Sequence, residues 1–225
     1  MRVIFVRHGE PDYAKDCLTD AGRRQAEAAA RRLAGEGISE IYTSPMGRAA
    51  QTARATADAL GLREIHMLDF MHELTWGSVD GTPIFADGHP WDIADELIRQ
   101  GWDLTDPGWP DHPLFRNNLV TASARRVERE TDRWLAALGY AREGLYYRCT
   151  AEAEQDRTVA LFCHGGSSSA AIGRIYNLTF PYVCALLHMP FTGITIARFD
   201  RRPGSVCLPH LELGSDARHL EGLEP

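Results

Sequence analysis

Two short apolar runs, residues 3–6 and 159–163, each end in a histidine followed by glycine, in Arg7-His8-Gly9 and His164-Gly165-Gly166. An apolar run of this length that stops at glycine reads as a buried strand ending in a tight turn. Both histidines therefore sit at strand ends. Between them the pattern turns helical. Thr19 is placed to cap a helix that runs through an alanine-rich stretch to Leu33, and Gly35 and Gly37 stop it before a second strand at residues 40–43. Ser44 reads as the N-cap of the next helix, with Pro45 at its first position, and a third strand follows at residues 64–68. A long helix is expected over residues 122–138, a solvated connection over 143–155, and a helix from about 167–169 to Asn177. Strands at residues 193–199 and 206–213 flank Arg201-Arg202-Pro203-Gly204, whose Pro-Gly pair predicts a turn between antiparallel neighbours.

Strands that alternate with helices imply parallel crossovers. The expected fold is α/β and three-layered, with a mostly parallel central sheet, an antiparallel edge strand, helices on both faces and a lid insertion. Such sheets bind ligands outside the carboxyl ends of their strands, where His8 and His164 emerge. The 225 residues fit one domain, 1–225, with no linker or repeat. The lid is residues 82–118, where Pro83, Pro90, Pro107, Pro110 and Pro113 interleave with Trp91, Trp102 and Trp109 around one short helix.

Charge and cysteine usage exclude several partner classes. The chain has 24 Lys and Arg against 31 Asp and Glu, a net charge of −7, whereas a duplex binder needs a basic face. No nucleic-acid partner is expected; a small anionic substrate is compatible. The N-terminal apolar run is too short for a signal-peptide core and no stretch of about 18 apolar residues follows, so no membrane is expected and the chain reads as soluble and cytoplasmic. Cys17, Cys149, Cys163, Cys184 and Cys207 are scattered, with no Cys-x-x-Cys pair, which fits free thiols in a reducing compartment. Cys163, beside His164, raises the idea of a thiol nucleophile, but at the end of an apolar run a buried, inert cysteine is the commoner outcome. The nine histidines include no His-Glu-x-x-His pair, and neither a metal nor another cofactor is expected.

Arg48 is the physical anomaly. It falls in the first turn of the helix after Ser44-Pro45, where a cation opposes the helix dipole by about 0.3–1 kcal/mol. A bound phosphate removes the conflict, because a helix N-terminus welcomes an anion and a guanidinium adds two parallel hydrogen bonds to it. A nearby Asp or Glu would do the same. Neutral imidazole is a competent nucleophile, and adjacent arginines favour the neutral form of His8 while holding a phosphoryl group.

Five ordered blocks carry a resemblance to the histidine phosphatase superfamily, in the branch of cofactor-dependent phosphoglycerate mutase and small broad-specificity phosphatases. They are Arg7-His8-Gly9-Glu10, Leu18-Thr19-Asp20-Ala21-Gly22 with Gln25-Ala26, the stretch from Tyr42 through Ser44-Pro45 and Arg48 to Ala53, Glu73-Leu74-Thr75-Trp76-Gly77 with Asp80-Gly81, and Phe162-Cys163-His164-Gly165-Gly166. The resemblance implies that His8 attacks phosphorus to form a phosphohistidine. It implies that Arg7 and Arg48 bind the equatorial oxygens, that His164, protonated when phosphate is bound, donates to them, and that Glu73 protonates the leaving oxygen. His72 competes for the acid role, but neighbours in an extended segment point to opposite sides. Asp69, Asp80 and Asp87 read as turn or solvated carboxylates.

The chain departs from the family where Pro11-Asp12-Tyr13 replaces a common threonine or serine, which removes a hydroxyl contact. The lid also lacks an obvious second arginine cluster, although Arg116, Arg125 and Arg126 lie near enough in sequence to be weighed. Hydrolysis of a small phosphate ester is therefore expected over mutase transfer, with a non-catalytic phosphate-binding regulator as a third reading. Substrate recognition is assigned to Trp91, Trp109, His112 and Asn117, as an aromatic and amide wall; the competing reading packs Trp91, Ala94, Ile98 and Trp102 on the core as one helical stripe. The sheet edge and the Trp-rich lid are two surfaces on which a homodimer would form.

Overall fold

In the computed structural model, which describes residues 1–150, 157–200 and 202–223, alternate residues of strand β1 (Arg2–Arg7) enter two separate cores. Val3 and Phe5 join one, and Ile4 and Val6 join the other. A strand apolar on both faces needs a layer on each. One layer is α1 (Asp20–Leu33) with α2 (Gly47–Leu60), packed over β4 (Glu40–Thr43). The other holds α3 (Pro90–Arg99), α4 (Pro113–Arg116) and α5 (Leu119–Ala137), together with α6 (Gly165–Tyr176) and α7 (Phe180–Leu186). The short strands β2 (Pro11–Asp12) and β3 (Cys17–Leu18) pair as a hairpin beside the sheet.

The six-stranded sheet is completed by β5 (His66–Met67), β8 (Thr158–Cys163), β9 (Ile194–Arg198) and β11 (His210–Asp216), in the order β11-β9-β1-β8-β4-β5. β1, β8, β4 and β5 run parallel. The antiparallel strand is β9, one place in from the edge expected for it, because β11 pairs along its outer side. The turn at 201–204 does not join these two strands directly. β10 (Val206–Cys207) instead pairs with β7 (Tyr146–Cys149), which pairs with β6 (Tyr140–Glu143), so part of the expected solvated connection is a hairpin in a small three-stranded sheet. Tyr140 and Tyr147 bury their rings against Phe199, and this apolar contact is what a reading of residues 143–155 as charged and solvated overlooks. The rest of that connection, 151–156, and Arg201 lie outside the described residues.

Local chemistry explains the helix starts. Thr19 caps α1 by accepting from the Gly22 amide at 3.0 Å. Asn118 caps α5, which opens at Leu119, ahead of the expected start. α6 starts at Gly165, directly after His164. Ser44 is not the cap of α2; the helix begins at Gly47, whose amide donates to the Asp16 carboxylate at 2.6 Å. The α1 backbone also presses on the turn after His8, since a Cβ on Gly22 would lie 2.1 Å from the Glu10 carbonyl oxygen. In α3 the buried positions are Pro90, Ile93, Ala94 and Leu97, while Ile98 is 53% exposed, so the stripe containing Ile98 is displaced by one residue. No helix among the described residues is long and apolar enough to cross a membrane.

Candidate active site

The parallel pairing of β1 with β8 sets Arg7 beside Cys163, and the His8 amide donates to the Cys163 carbonyl at 2.9 Å. Two residues 156 positions apart are thereby fixed at adjacent strand ends, with the His8 and His164 ring centroids 5.1 Å apart. Both rings are buried. Nδ1 of His8 lies 2.7 Å from the Gly9 carbonyl oxygen, which only a protonated ring nitrogen can satisfy. The proton therefore sits on Nδ1 and the Nε2 lone pair is open. Arg48, which is 4% exposed, donates its Nε–H to that lone pair at 3.2 Å. Burial, reinforced by the positive charges of Arg48 and Arg7, pushes the His8 pKa down to about 3, so the ring is neutral at neutral pH.

His164 is held by Ser44. Its Nε2 lies 2.8 Å from Ser44 Oγ, and that oxygen accepts the Met46 amide at 3.3 Å, so the ring nitrogen is the one acceptor among the described residues for its hydroxyl hydrogen. The neutral ring then carries its proton on Nδ1, which has no partner and is buried. Burial and the neighbouring His8, Arg48 and Arg7 hold His164 well below the ordinary histidine range. Its donor in the free protein is thus a tautomer of the neutral ring. Arg7 places Nη1 on the Met189 carbonyl at 2.6 Å and its guanidinium 4.4 Å over the Phe191 ring, while its buried Nε has no partner.

Arg48 resolves its conflict with the α2 dipole through Asp16, whose carboxylate accepts from Arg48 Nη1 at 2.6 Å and from the Gly47 amide. Asp16 itself sits at a positive φ of 48° in the β2–β3 turn. Tyr13, in the same turn, lies under the other side of Arg48, its ring centroid 5.4 Å from the guanidinium carbon.

Glu73 faces the site and His72 faces out, as the alternation of an extended segment requires. Oε1 of Glu73 accepts from the amides of Leu74 at 2.8 Å, Gly166 at 3.0 Å and Ser167 at 3.2 Å, so the carboxyl caps the N-terminus of α6. Those donors favour the charged form, but burial outweighs them and the Glu73 pKa is raised. Oε2 has only a long contact of 3.4 Å to the Gly166 amide. Cys163 is buried, and burial pushes its thiol up to about 12, which makes it an inert core cysteine.

Arg7, Arg48 and Glu73 open onto a cavity of about 1140 Å³ walled farther out by Trp76, His89, Trp91 and Asp95. Trp91 is one of the residues lining this cavity. Trp109, His112 and Asn117 do not line this cavity. Trp109 is 4% exposed and packs on Phe115 and Phe180; His112 caps α4 by accepting the Leu114 amide; Asn117 donates to Ser78, Asp80 and Thr82 and braces their loop. Arg125 lies near the Trp109 ring, Arg126 pairs with Asp69, and neither these nor Arg116 lines the cavity. Sequence reasoning passed over Ser44 as a partner of His164, and passed over Asp16, His89 and Asp95. Trp76 lay inside the quoted acid block without being singled out. No group of three or more His, Cys, Asp or Glu side chains among the described residues is arranged to hold a metal ion.

Comparison with known proteins bears on the family and on the fold. The family model described as "Histidine phosphatase superfamily (branch 1)" matches residues 3–208. A probable phosphoglycerate mutase, GpmB, of Yersinia enterocolitica is 37% identical over 93 residues, which are 37% of this chain and 43% of that protein. Less than half of that relative's length is matched. Among solved structures, a phosphoserine phosphatase mutant from Entamoeba histolytica in complex with phosphoserine superposes with a TM-score of 0.63 at 21% identity, covering 97% of this chain and 98% of that one. A mycobacterial glucosyl-3-phosphoglycerate phosphatase gives 0.61 at 22%, covering 95% and 98%. These structural likenesses carry the fold.

Proposed function

The chain belongs to branch 1 of the histidine phosphatase superfamily, and from that premise we propose that it is a metal-independent phosphomonoesterase that hydrolyses a small phosphate ester through a phosphohistidine. The observation that carries this reading is the set of unmet donors around one lone pair. Arg7 Nε and His164 Nδ1 are buried without partners among the described residues, the His164 ring lies 5.1 Å from that of His8, and Arg48 donates to His8 Nε2. Buried orphan donors are costly, and an anion satisfies them together.

Transfer then runs in two balanced steps. His8 Nε2 attacks phosphorus, the P–O ester bond breaks, and its electron pair leaves on the alcohol oxygen, which takes the proton of Glu73. Arg48 exchanges its contact with Nε2 for a phosphate oxygen, and Nδ1 stays on the Gly9 carbonyl, which fixes the ring. In the second step Glu73, now a carboxylate, takes a proton from water; the resulting hydroxide attacks phosphorus and the P–N bond breaks, its pair returning to Nε2. Phosphate leaves and Glu73 is again protonated. The raised pKa of Glu73 suits both halves of this cycle.

Hydrolysis is favoured over mutase transfer because Arg7 and Arg48 are the only Lys or Arg among the described residues lining the cavity. A second anionic group has no further cation to hold it. The unpaired cysteines support a reducing, cytoplasmic setting. The test is inorganic phosphate release from p-nitrophenyl phosphate in the presence of chelator. Turnover that is vanadate-sensitive, chelator-resistant and abolished in His8→Ala is expected; turnover lost in chelator and restored by a divalent ion overturns the reading.

A further inference from the structure

The cavity has two chemically different ends. Trp76 and Trp91 meet edge to face, with centroids 6.3 Å apart and planes at 88°, so their rings form a corner, and His89 closes on both at 5.4 and 5.2 Å. Asp95 stands one turn after Trp91 on α3 and lines the same cavity. Its helix neighbours Asp92 and Glu96 are paired, with His89 and Arg99, whereas Asp95 has no hydrogen bond or ion pair among the described residues. The corner is close to the phosphate end. The point where a Cβ on Gly165 would stand is 3.3 Å from the Trp91 ring and 3.8 Å from Arg7 Nε.

The charge balance separates the two ends. A phosphate dianion is met by Arg7 and Arg48. Beyond them the described lining offers one free, exposed carboxylate and the imidazoles of His89 and His188, and no Lys or Arg. A perpendicular pair of indoles beside an unpaired carboxylate suits an organic cation, which gains from the ring quadrupoles and from the counterion. Resting on the phosphomonoesterase reading, we infer that the cavity selects phosphate esters of amino alcohols, with the cationic nitrogen in the Trp76–Trp91 corner and Asp95 as its counterion.

The experiment compares kcat/KM for phosphocholine with that for its neutral isostere, 3,3-dimethylbutyl phosphate, and includes glucose 6-phosphate and 3-phosphoglycerate. A preference of about tenfold for the cation over the isostere is expected. The ratio should fall towards one in Asp95→Asn, and in Trp76→Leu as a second variant; circular dichroism and the thermal unfolding midpoint report that each variant is folded. Equal rates for the two isosteres, or a preference for the sugar or glycerate ester over phosphocholine, overturn the inference. Calorimetric binding of the same esters to His8→Ala repeats the comparison without turnover. Failure of the wild type on p-nitrophenyl phosphate would thus strike the phosphatase reading alone, and equal binding of the isosteres the cation site alone.

Discussion

Nε of Arg48 donates to Nε2 of His8 across 3.2 Å, so in the free protein the lone pair of the proposed nucleophile is held by the residue that, in the proposed mechanism, releases it to phosphate. Replacing Arg48 with lysine keeps the charge and removes both this donor and the planar fork. Steady-state kinetics of Arg48→Lys should show a loss of about 10²–10³ in kcat/KM, the size of one removed transition-state donor. A loss below tenfold would mean that the guanidinium is not in the transition state.

Glu73→Gln separates acid catalysis from binding. The amide keeps an acceptor for the α6 amides but cannot donate a proton to a departing oxygen. Turnover of an alkyl phosphate should fall by about 10²–10⁴, and that of p-nitrophenyl phosphate, whose leaving group needs little help, by far less. Because the raised pKa of Glu73 belongs to the acid form, wild-type kcat/KM should decline as pH rises through it, and this limb should vanish in the variant. Equal losses on both esters would remove Glu73 from the acid role.

The depressed pKa of His8 also makes a stability statement. Between about 3 and the unfolded value near 6.5 the unfolded chain binds the proton and the folded chain does not, so stability is present above that window and lost as pH falls through it, by up to about 1.4 kcal/mol per pH unit. Urea denaturation from pH 7 to 4 should show a shallower loss in His8→Asn than in the wild type. Parallel curves would contradict a neutral buried ring.

Gly166 gives a positional test. A Cβ there would stand 2.6 Å from Glu73 Oε1 and 3.0 Å from the Leu74 side chain. Gly166→Ala should therefore move the acid, lowering kcat by about tenfold to a hundredfold while vanadate still binds. An unchanged kcat would show that Glu73 tolerates displacement.

Trp109→Leu tests the reassignment of that residue to the core. Buried against Phe115 and Phe180, it should cost about 2–4 kcal/mol of stability in denaturant titration, with KM for the ester unchanged. A shifted KM at unchanged stability would return Trp109 to substrate recognition.

What the sequence disclosed follows from locality. His8 and His164 were legible because each closes its own apolar run, and Arg48 because its place on the helix is wrong for a solvated cation. The partners that complete these side chains come from elsewhere in the chain. Ser44 has the local look of an N-cap, yet its oxygen is committed to a ring 120 positions away. Asp16 carries no local signal, and only the return of the β2–β3 turn onto α2 brings it to Arg48 and Gly47. Trp91 and Trp109 share the lid's composition, but Trp91 on α3 meets Trp76 and His89, whereas Trp109 packs on Phe115 and Phe180. The hairpin of β6 and β7 was hidden because its exposed positions carry the charges while only Tyr140, Tyr147 and Cys149 supply the buried side.

β1 and β8 lie inside the sheet, flanked by β9 and β4 and covered by helices on both faces. The two histidines proposed to react are thus carried by strands whose amides should exchange with solvent only when the whole domain opens, whereas on the outer wall of the cavity Trp76 and Asp95 are exposed and Trp91 is half-buried. Under rising denaturant the protein should first lose discrimination among esters and only later the capacity to cleave any of them. On the phosphomonoesterase reading, the same division would let substitutions in the outer wall of the cavity change the ester preferred without disturbing the chemistry beneath it.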